Sequence, residues 1–152
     1  MIRISKLADY ALQVLQAVMA ADQCLSAKKC AEKTRISVAT VSKLLKILLE
    51  AKLLVSEKGV KGGYSLSRPP ETITLAELVS AIDGPLALTE CSKLAYDCPH
   101  EKFCGQQENW QTISQIIFNV LSQISLRDMT RKISVADVQV LQFLPLVQKK
   151  GN

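Results

Sequence analysis

The chain has 152 residues, with 19 lysines and arginines against 14 aspartates and glutamates, five cysteines and a single histidine. At 48% hydrophobic and 22% charged residues it carries enough apolar material for a core and lacks the polar bias of a disordered chain. An odd cysteine count in a chain of this size excludes a small secreted scaffold held by paired disulfides and points to cytosolic thiols, while the length fits one domain with an extension.

The first periodic run, Leu7 to Ala21, follows Arg3 and Lys6 and superficially imitates a secretory leader, but Asp9, Gln13 and Gln16 interrupt it. Leu7, Ala11, Val14, Leu15 and Val18 recur at helical spacing, which predicts an amphipathic core helix. No uninterrupted apolar segment approaches the ~20 residues of a membrane-spanning helix. A soluble, cytoplasmic protein with no membrane partner is expected.

Ser26 is placed to cap a short helix from about Ala27 to Thr34, and Ile36-Ser37 forms a brief turn before a second helical run from Val38 to about Lys52. That run puts Val41, Leu44, Leu45, Leu48 and Leu49 on one face and Ala39, Thr40, Lys43 and Lys46 toward the other. Two helices joined by a tight turn, the second amphipathic with small polar and basic residues outward, is the helix-turn-helix pattern. Two strand-like stretches, Leu53 to Glu57 and Tyr64 to Ser67, then enclose Lys58-Gly59-Val60-Lys61-Gly62-Gly63, a glycine-rich hairpin with two lysines at its tip. Helix-turn-helix followed by a basic hairpin is a winged helix. No GxxxxGK[ST] or GxGxxG is present to make the hairpin a nucleotide loop.

Thr74-Leu75-Ala76-Glu77 reads as a capping box, and Leu75, Leu78, Val79 and Ile82 continue it as a short helix that Gly84-Pro85 stops. A long helix is expected to begin near Asn109, where Trp110, Ile113, Ile117, Val120 and Ile124 follow the spacing of a coiled-coil seam, with Ile116, Phe118 and Leu121 widening the apolar surface. That surface exceeds what one small domain covers, so a homodimer through the helix starting near Trp110 is expected. Two-fold proteins also suit paired half-sites on DNA.

The charge is unevenly placed. Residues 1–70 hold twelve basic against five acidic residues, a balance of +7, and the remainder holds seven against nine, a balance of −2. A basic N-terminal half facing a polyanion is the implied arrangement, with double-stranded DNA as partner. Ser37, Ala39, Thr40, Ser42 and Lys43 stand at or near the start of the recognition helix, where side chains reach base edges, although Ser37 also occupies the cap position. Lys58 is placed for the minor groove or a phosphate, and Lys28, Lys29, Lys46, Lys61 and Arg68 for positioning the DNA backbone.

Between the capped helix and the long helix, Cys91, Cys98 and Cys104 are spaced as C-x6-C-x5-C. Asp97, Pro99 and Gly105 argue for an irregular loop able to fold three sulfurs onto one centre. Structural zinc sites usually show paired CxxC spacing, which is missing, whereas wide thiolate spacing is compatible with an iron-sulfur cluster. Three independent cysteines, or a disulfide switch, are the alternatives that spacing leaves open. Cys24 and Cys30 lie outside the loop and read as incidental, with Cys30 packed on its short helix.

Taken together, the chain resembles the winged-helix iron-sulfur cluster transcription regulators typified by IscR, NsrR and SufR, over roughly residues 1–126. The resemblance rests on the opening Arg3-Ile4-Ser5-Lys6-Leu7-Ala8-Asp9-Tyr10-Ala11, the wing from Lys58 to Leu66, the Thr74 helix start, Ile82-Asp83-Gly84, and the cysteine loop running into Trp110. The Leu-Ala-Asp-Tyr opening looks most like the subgroup that regulates the SUF cluster-assembly system. The resemblance implies that Cys91, Cys98 and Cys104 bind the cluster, of 2Fe-2S or 4Fe-4S type. The chain departs from the IscR pattern in having six rather than five residues in its first cysteine gap, and Gln107 where IscR-like members carry a histidine ligand. For the fourth ligand, Asp9 matches the position at which NsrR-like members supply an aspartate from the partner subunit. His100, the only imidazole, is the alternative, followed by Glu108, a small thiol or solvent.

The expected fold is therefore mainly α. It comprises a winged helix-turn-helix over 1–70 with a small β-hairpin wing, a capped helix and cysteine cluster loop over 71–108, a dimerisation helix over 109–130, and an extension over 131–152 with no assigned role. The expected function is a transcriptional regulator, repressor or activator, that binds an operator and reports cluster supply, oxidant or nitric oxide. A metal-free thiol-based or zinc-dependent winged-helix regulator is the first rival, and a small iron-sulfur electron-transfer protein the second. With one histidine, no visible Ser-His-Asp set and no metalloprotease or nucleotide motif, an enzyme is not expected.

Overall fold

The computed structural model describes residues 3–59, 62–93, 104–134 and 138. Among them, α1 spans Lys6–Met19, α2 Ala27–Thr34, α3 Val38–Glu50, α4 Leu75–Asp83 and α5 Gln107–Ser122, with strands β1 Leu54–Glu57 and β2 Gly63–Leu66 between α3 and α4. Single 3-10 turns occupy Pro70–Thr72, Glu90–Ser92 and Asp128–Thr130. The mainly α winged helix-turn-helix expected from the sequence is the fold observed.

The first four helices each begin on a hydroxyl that satisfies an otherwise orphaned backbone donor. Ser5 accepts from the Ala8 N–H at 3.0 Å, and Ser26 and Ser37 accept from Lys29 and Thr40 at 3.3 Å each. Thr74 and Glu77 form the reciprocal capping box. Partial burial pushes the Glu77 carboxyl up, but hydrogen bonds from Thr74 and the Arg68 ion pair outweigh it and leave the group below the ordinary carboxylate range. α2 ends on Arg35 in the left-handed conformation, φ 57°, and Arg35, Ile36 and Ser37 make the turn into α3. Gly84 closes α4 at φ 84° and ψ −176°, a combination that side-chain-bearing residues rarely adopt.

The core lies where α1, α2, α3 and α4 meet. Val14, Leu15, Cys30, Val41, Leu44, Leu45 and Leu48 are each 0% exposed, and Leu25, Leu53, Leu54, Ile73, Leu78 and Leu126 are among the other members of the cluster. Each such aliphatic side chain contributes roughly 1.5–3 kcal/mol by leaving water. The cluster draws on both sides of residue 70, so the wing region and α4 share one core. β1 and β2 pair antiparallel from Leu54↔Leu66 to Glu57↔Gly63. The hairpin is held to the body by Leu25, whose backbone exchanges two hydrogen bonds with Tyr64 at 2.9 and 3.0 Å. A Cβ on Gly63 would fall 2.7 Å from the Leu25 backbone, which is why this close approach takes a glycine.

The long helix corrects one expectation: it stops at Ser122 rather than continuing to 130, and Ile124 lies beyond its end. The chain turns back to pair with the segment entering α4. The Leu75 N–H donates to the Ile124 carbonyl and the Leu126 N–H to the Ile73 carbonyl, both at 2.8 Å, and Leu126 is drawn into the core. Ser125 and Asp128 bind each other reciprocally at the 3-10 turn that follows: the Ser125 hydroxyl accepts from the Asp128 N–H at 3.1 Å, and the Asp128 carboxylate accepts from the Ser125 hydroxyl at 2.6 Å and its N–H at 3.0 Å. Backbone pairing and burial of Leu126 thus outweigh continuation of the helix.

Candidate nucleic-acid interface and cysteine turn

α3 has two faces of opposite character. Val41, Leu44, Leu45 and Leu48 are buried in the core, whereas Ser37, Val38, Ala39, Ser42, Lys43 and Lys46 are exposed. At three- and four-residue spacing the exposed set forms one stripe that is small or apolar at its start and basic further along. The Ser37 hydroxyl both caps the helix and lies 2.9 Å from the Thr40 hydroxyl, so half-buried Thr40 is turned toward the cap. Lys46 stands 4.0 Å from Glu50, an exposed pairing that leaves its ammonium accessible and is worth little.

Lys28 and Lys29 on α2 and Lys58 at the wing are exposed. Lys61, the second wing lysine, lies outside the described residues. Arg68, read from sequence as a DNA-backbone contact, has its guanidinium engaged within the chain: it forms an ion pair with Glu77 and donates to the Lys52 and Thr72 carbonyls at 3.4 Å each. Its charge braces the end of β2 against α4.

Of the loop cysteines, Cys91 and Cys104 are described, whereas Cys98 and the alternative ligand His100 lie outside the described residues. Cys91 sits half-buried in the turn Glu90–Ser92, its sulfur 3.2 Å from the Thr89 hydroxyl. Cys104 is exposed, three residues before α5, and its carbonyl accepts from the Gln106 N–H at 2.8 Å. Both are free thiols, as is Cys30, but Cys30 is fully buried in the core, and that burial pushes its thiol up despite nearby Lys33. Two accessible thiols bracketing the third are a donor set suited to soft metals.

The Cys91 turn is fastened to α5 by a residue that sequence reasoning passed over. Ser114 is the one buried residue of α5. Its hydroxyl donates to the Trp110 carbonyl at 2.8 Å, accepts from the Leu88 N–H at 3.1 Å and stands 3.4 Å from the Ser92 hydroxyl. A lone serine interrupting an otherwise apolar helical stripe was the available signal.

Asp9 lies exposed in the first turn of α1 and accepts from the Gln13 amide at 3.1 Å. Among the described residues of one chain, no three His, Cys, Asp or Glu side chains gather as a metal site. Gln107 begins α5, and Glu108 is exposed on its first turn. No helix among the described residues is long and apolar enough to cross a membrane.

Known proteins resemble the chain in sequence and architecture. The Rrf2 family, described as iron-dependent transcriptional regulators, matches residues 4–132. The chain is 27% identical over 129 residues to the protein rrf2 of Nitratidesulfovibrio vulgaris, covering 85% of this chain and 86% of that protein. Among solved structures it resembles CymR, the global cysteine regulator of B. subtilis, with a TM-score of 0.64 and 27% identity over 85% of this chain and 96% of that one. It also resembles the IscR of T. potens, with a TM-score of 0.61 and 25% identity over 85% and 86% of the two chains. These relatives are transcriptional regulators and not enzymes. The chain belongs to the Rrf2 family of winged-helix transcriptional regulators.

Proposed function

We propose that the protein is a cytoplasmic, homodimeric regulator that binds a DNA operator through α3 and the wing and senses iron-sulfur cluster status, redox or nitric oxide through Cys91, Cys98 and Cys104. The observation that carries the DNA reading is the division of α3, one face sealed in the core and the other presenting Val38, Ala39, Ser42, Lys43 and Lys46. The N-terminal residues of such a helix address base edges, and the lysines on α2, α3 and the wing meet phosphates. Arg68, expected among the backbone-positioning residues, also braces the wing through its ion pair with Glu77. Replacing Lys46 by Ala should weaken binding on all duplexes alike and lower the slope of log affinity against log salt by about 1.

The homodimer is supported by α5, where Trp110 and Ile113 are 39% and 41% exposed and Ser114 alone is buried. A second copy laid along α5 covers this surface and sets the spacing of two recognition helices.

For the cysteine loop, the donor chemistry of accessible thiols and the likeness to IscR support three thiolate ligands, with Asp9 of a partner subunit, or alternatively His100, as the fourth. A bound cluster supplies reversible redox chemistry and a reactive site for oxidants or nitric oxide. The chain's own part is to hold the thiolates and to relay their arrangement. Displacement of the Cys91 turn reaches α5 through Ser92, Leu88 and Ser114, and α5 carries the proposed subunit contact. Control of cluster-assembly genes, as in the SUF-type subgroup, is the regulatory role this reading favours.

A second reading is favoured by the likeness to CymR, a cysteine regulator: the same thiols would then act without a cluster, or with zinc. A visible spectrum after anaerobic purification, with iron and sulfide quantified, separates the two. Iron and sulfide retained in the wild type and lost with Cys91→Ala support the cluster, and a colourless, iron-free protein that still binds DNA defeats it.

A further inference from the structure

The start of α3 contains one side chain with no structural task. Ser37 caps the helix, and Ile36 and Val41, the two positions that flank a helix start with apolar contact, both pack in the core. Val38, at the first helical position between them, is 51% exposed, the highest value among the exposed large hydrophobics of the described residues. Ala39 beside it is exposed as well. Isolated exposed aliphatic residues are ordinary on protein surfaces. This one, however, stands at the leading edge of the stripe that runs on through Ser42, Lys43 and Lys46, where a recognition helix meets the floor of the major groove. In that groove the base pairs present hydrogen-bond donors and acceptors at every position and a single type of apolar group, the C5 methyl of thymine. A branched aliphatic side chain has nothing to offer the polar edges, and it gains by removing that methyl and its own from water.

We infer that Val38, with Ala39 beside it, is a specificity-determining residue that selects thymine in each half-site by contact with the C5 methyl. The inference rests on the proposed DNA reading and adds to it a base preference. It also divides the labour along α3: apolar selection at the tip, hydrogen bonding and charge at Ser42, Lys43 and Lys46 behind it.

The test uses the full-length protein and a duplex selected by it from a random double-stranded library. Each thymine of that duplex is replaced in turn by deoxyuridine, which removes only the methyl group. The wild type should lose about three- to fivefold in affinity at one or two thymines per half-site, the ratio expected for burying one methyl. Val38→Ser and Val38→Ala should bind the unmodified duplex about as weakly as the wild type binds the deoxyuridine duplex, and should no longer respond to the replacement. Because Val38 is largely in solvent, neither variant should alter thermal unfolding appreciably. Lys46→Ala, as a comparison, should lose affinity equally on both duplexes. A wild type indifferent to every replacement, or a Val38→Ser protein as sensitive as the wild type, overturns the assignment while leaving DNA binding intact. Failure of the wild type to retain any duplex in a salt-dependent manner overturns the DNA reading itself, and the assignment with it.

Discussion

The winged-helix half and α5 use apolar residues in opposite ways. In the first, Leu15, Leu44, Leu45 and Leu48 are each 0% exposed and the polar surface is basic. In α5 a serine is buried while Trp110 and Ile113 stand in solvent and Ile116, Ile117, Phe118 and Val120 are half-buried. The first region packs into one core together with α4 and Leu126, and on the proposed reading the second is completed by another copy of the chain. Stability should therefore be governed by one region and assembly by the other.

The largest effect on that contrast should come from Leu45→Ala, which opens a cavity in the core and should lower unfolding free energy by about 3 kcal/mol in a denaturant titration. Its subunit affinity should be little changed once the protein is folded. Trp110→Ala should behave in reverse, weakening self-association by about 2 kcal/mol, or roughly thirtyfold, in a sedimentation dilution series. Should Trp110→Ala leave the dilution series unchanged, α5 is not the dimer surface and the contrast fails.

Ser114→Ala probes the join between the two regions. Losing its hydroxyl leaves the Leu88 N–H without that partner, at a cost of about 1–2 kcal/mol. Hydrogen exchange at Leu88 should accelerate more than at Leu45; equal acceleration would mean that Ser114 does not fasten the Cys91 turn locally. The smallest effect should appear in acid. Hydrogen bonds from the Ser125 hydroxyl and N–H, together with Arg131, lower the Asp128 carboxyl from 3.8 to about 2. A carboxylate lowered on folding stabilises above its unfolded value and loses that contribution as pH falls through the folded one. The wild type should therefore lose a small increment between about pH 4 and pH 2 that Asp128→Asn lacks, and identical acid profiles would remove the Ser125–Asp128 turn from the account.

Local signals carried most of the fold. The α2 bounds, the Ser26, Ser37 and Thr74 caps and the basic hairpin all follow from short-range chemistry that needs no partner elsewhere in the chain. What escaped was non-local. Leu25 joins the wing through a single backbone bridge to Tyr64, and no periodicity announces a one-residue strand. Arg68 resembles every other surface cation until Glu77 folds against it. The heptad pattern runs through Ile124, yet the pull of Leu126 into the core ends the helix earlier, and Ser125-x-x-Asp128 was the short-range sign of that turn. Val38 was legible as a helix start, but its exposure appears only once Ile36 and Val41 are seen to fill the inner side. For the cysteine loop, Cys91 is half-buried and Cys104 exposed, while the expectations for Cys98 and His100 fall outside the described residues.

The central claim is that the Cys91 turn reports to the DNA-binding half through α5. It is tested most directly by titrating the selected duplex with anaerobically purified protein, iron and sulfide quantified, before and after removal of the metal. A change in DNA affinity on metal removal in the wild type, abolished in Cys91→Ala and reduced in Ser114→Ala, is the predicted result. Equal affinity of the iron-loaded and iron-free wild type, or protein that never holds iron, would contradict it.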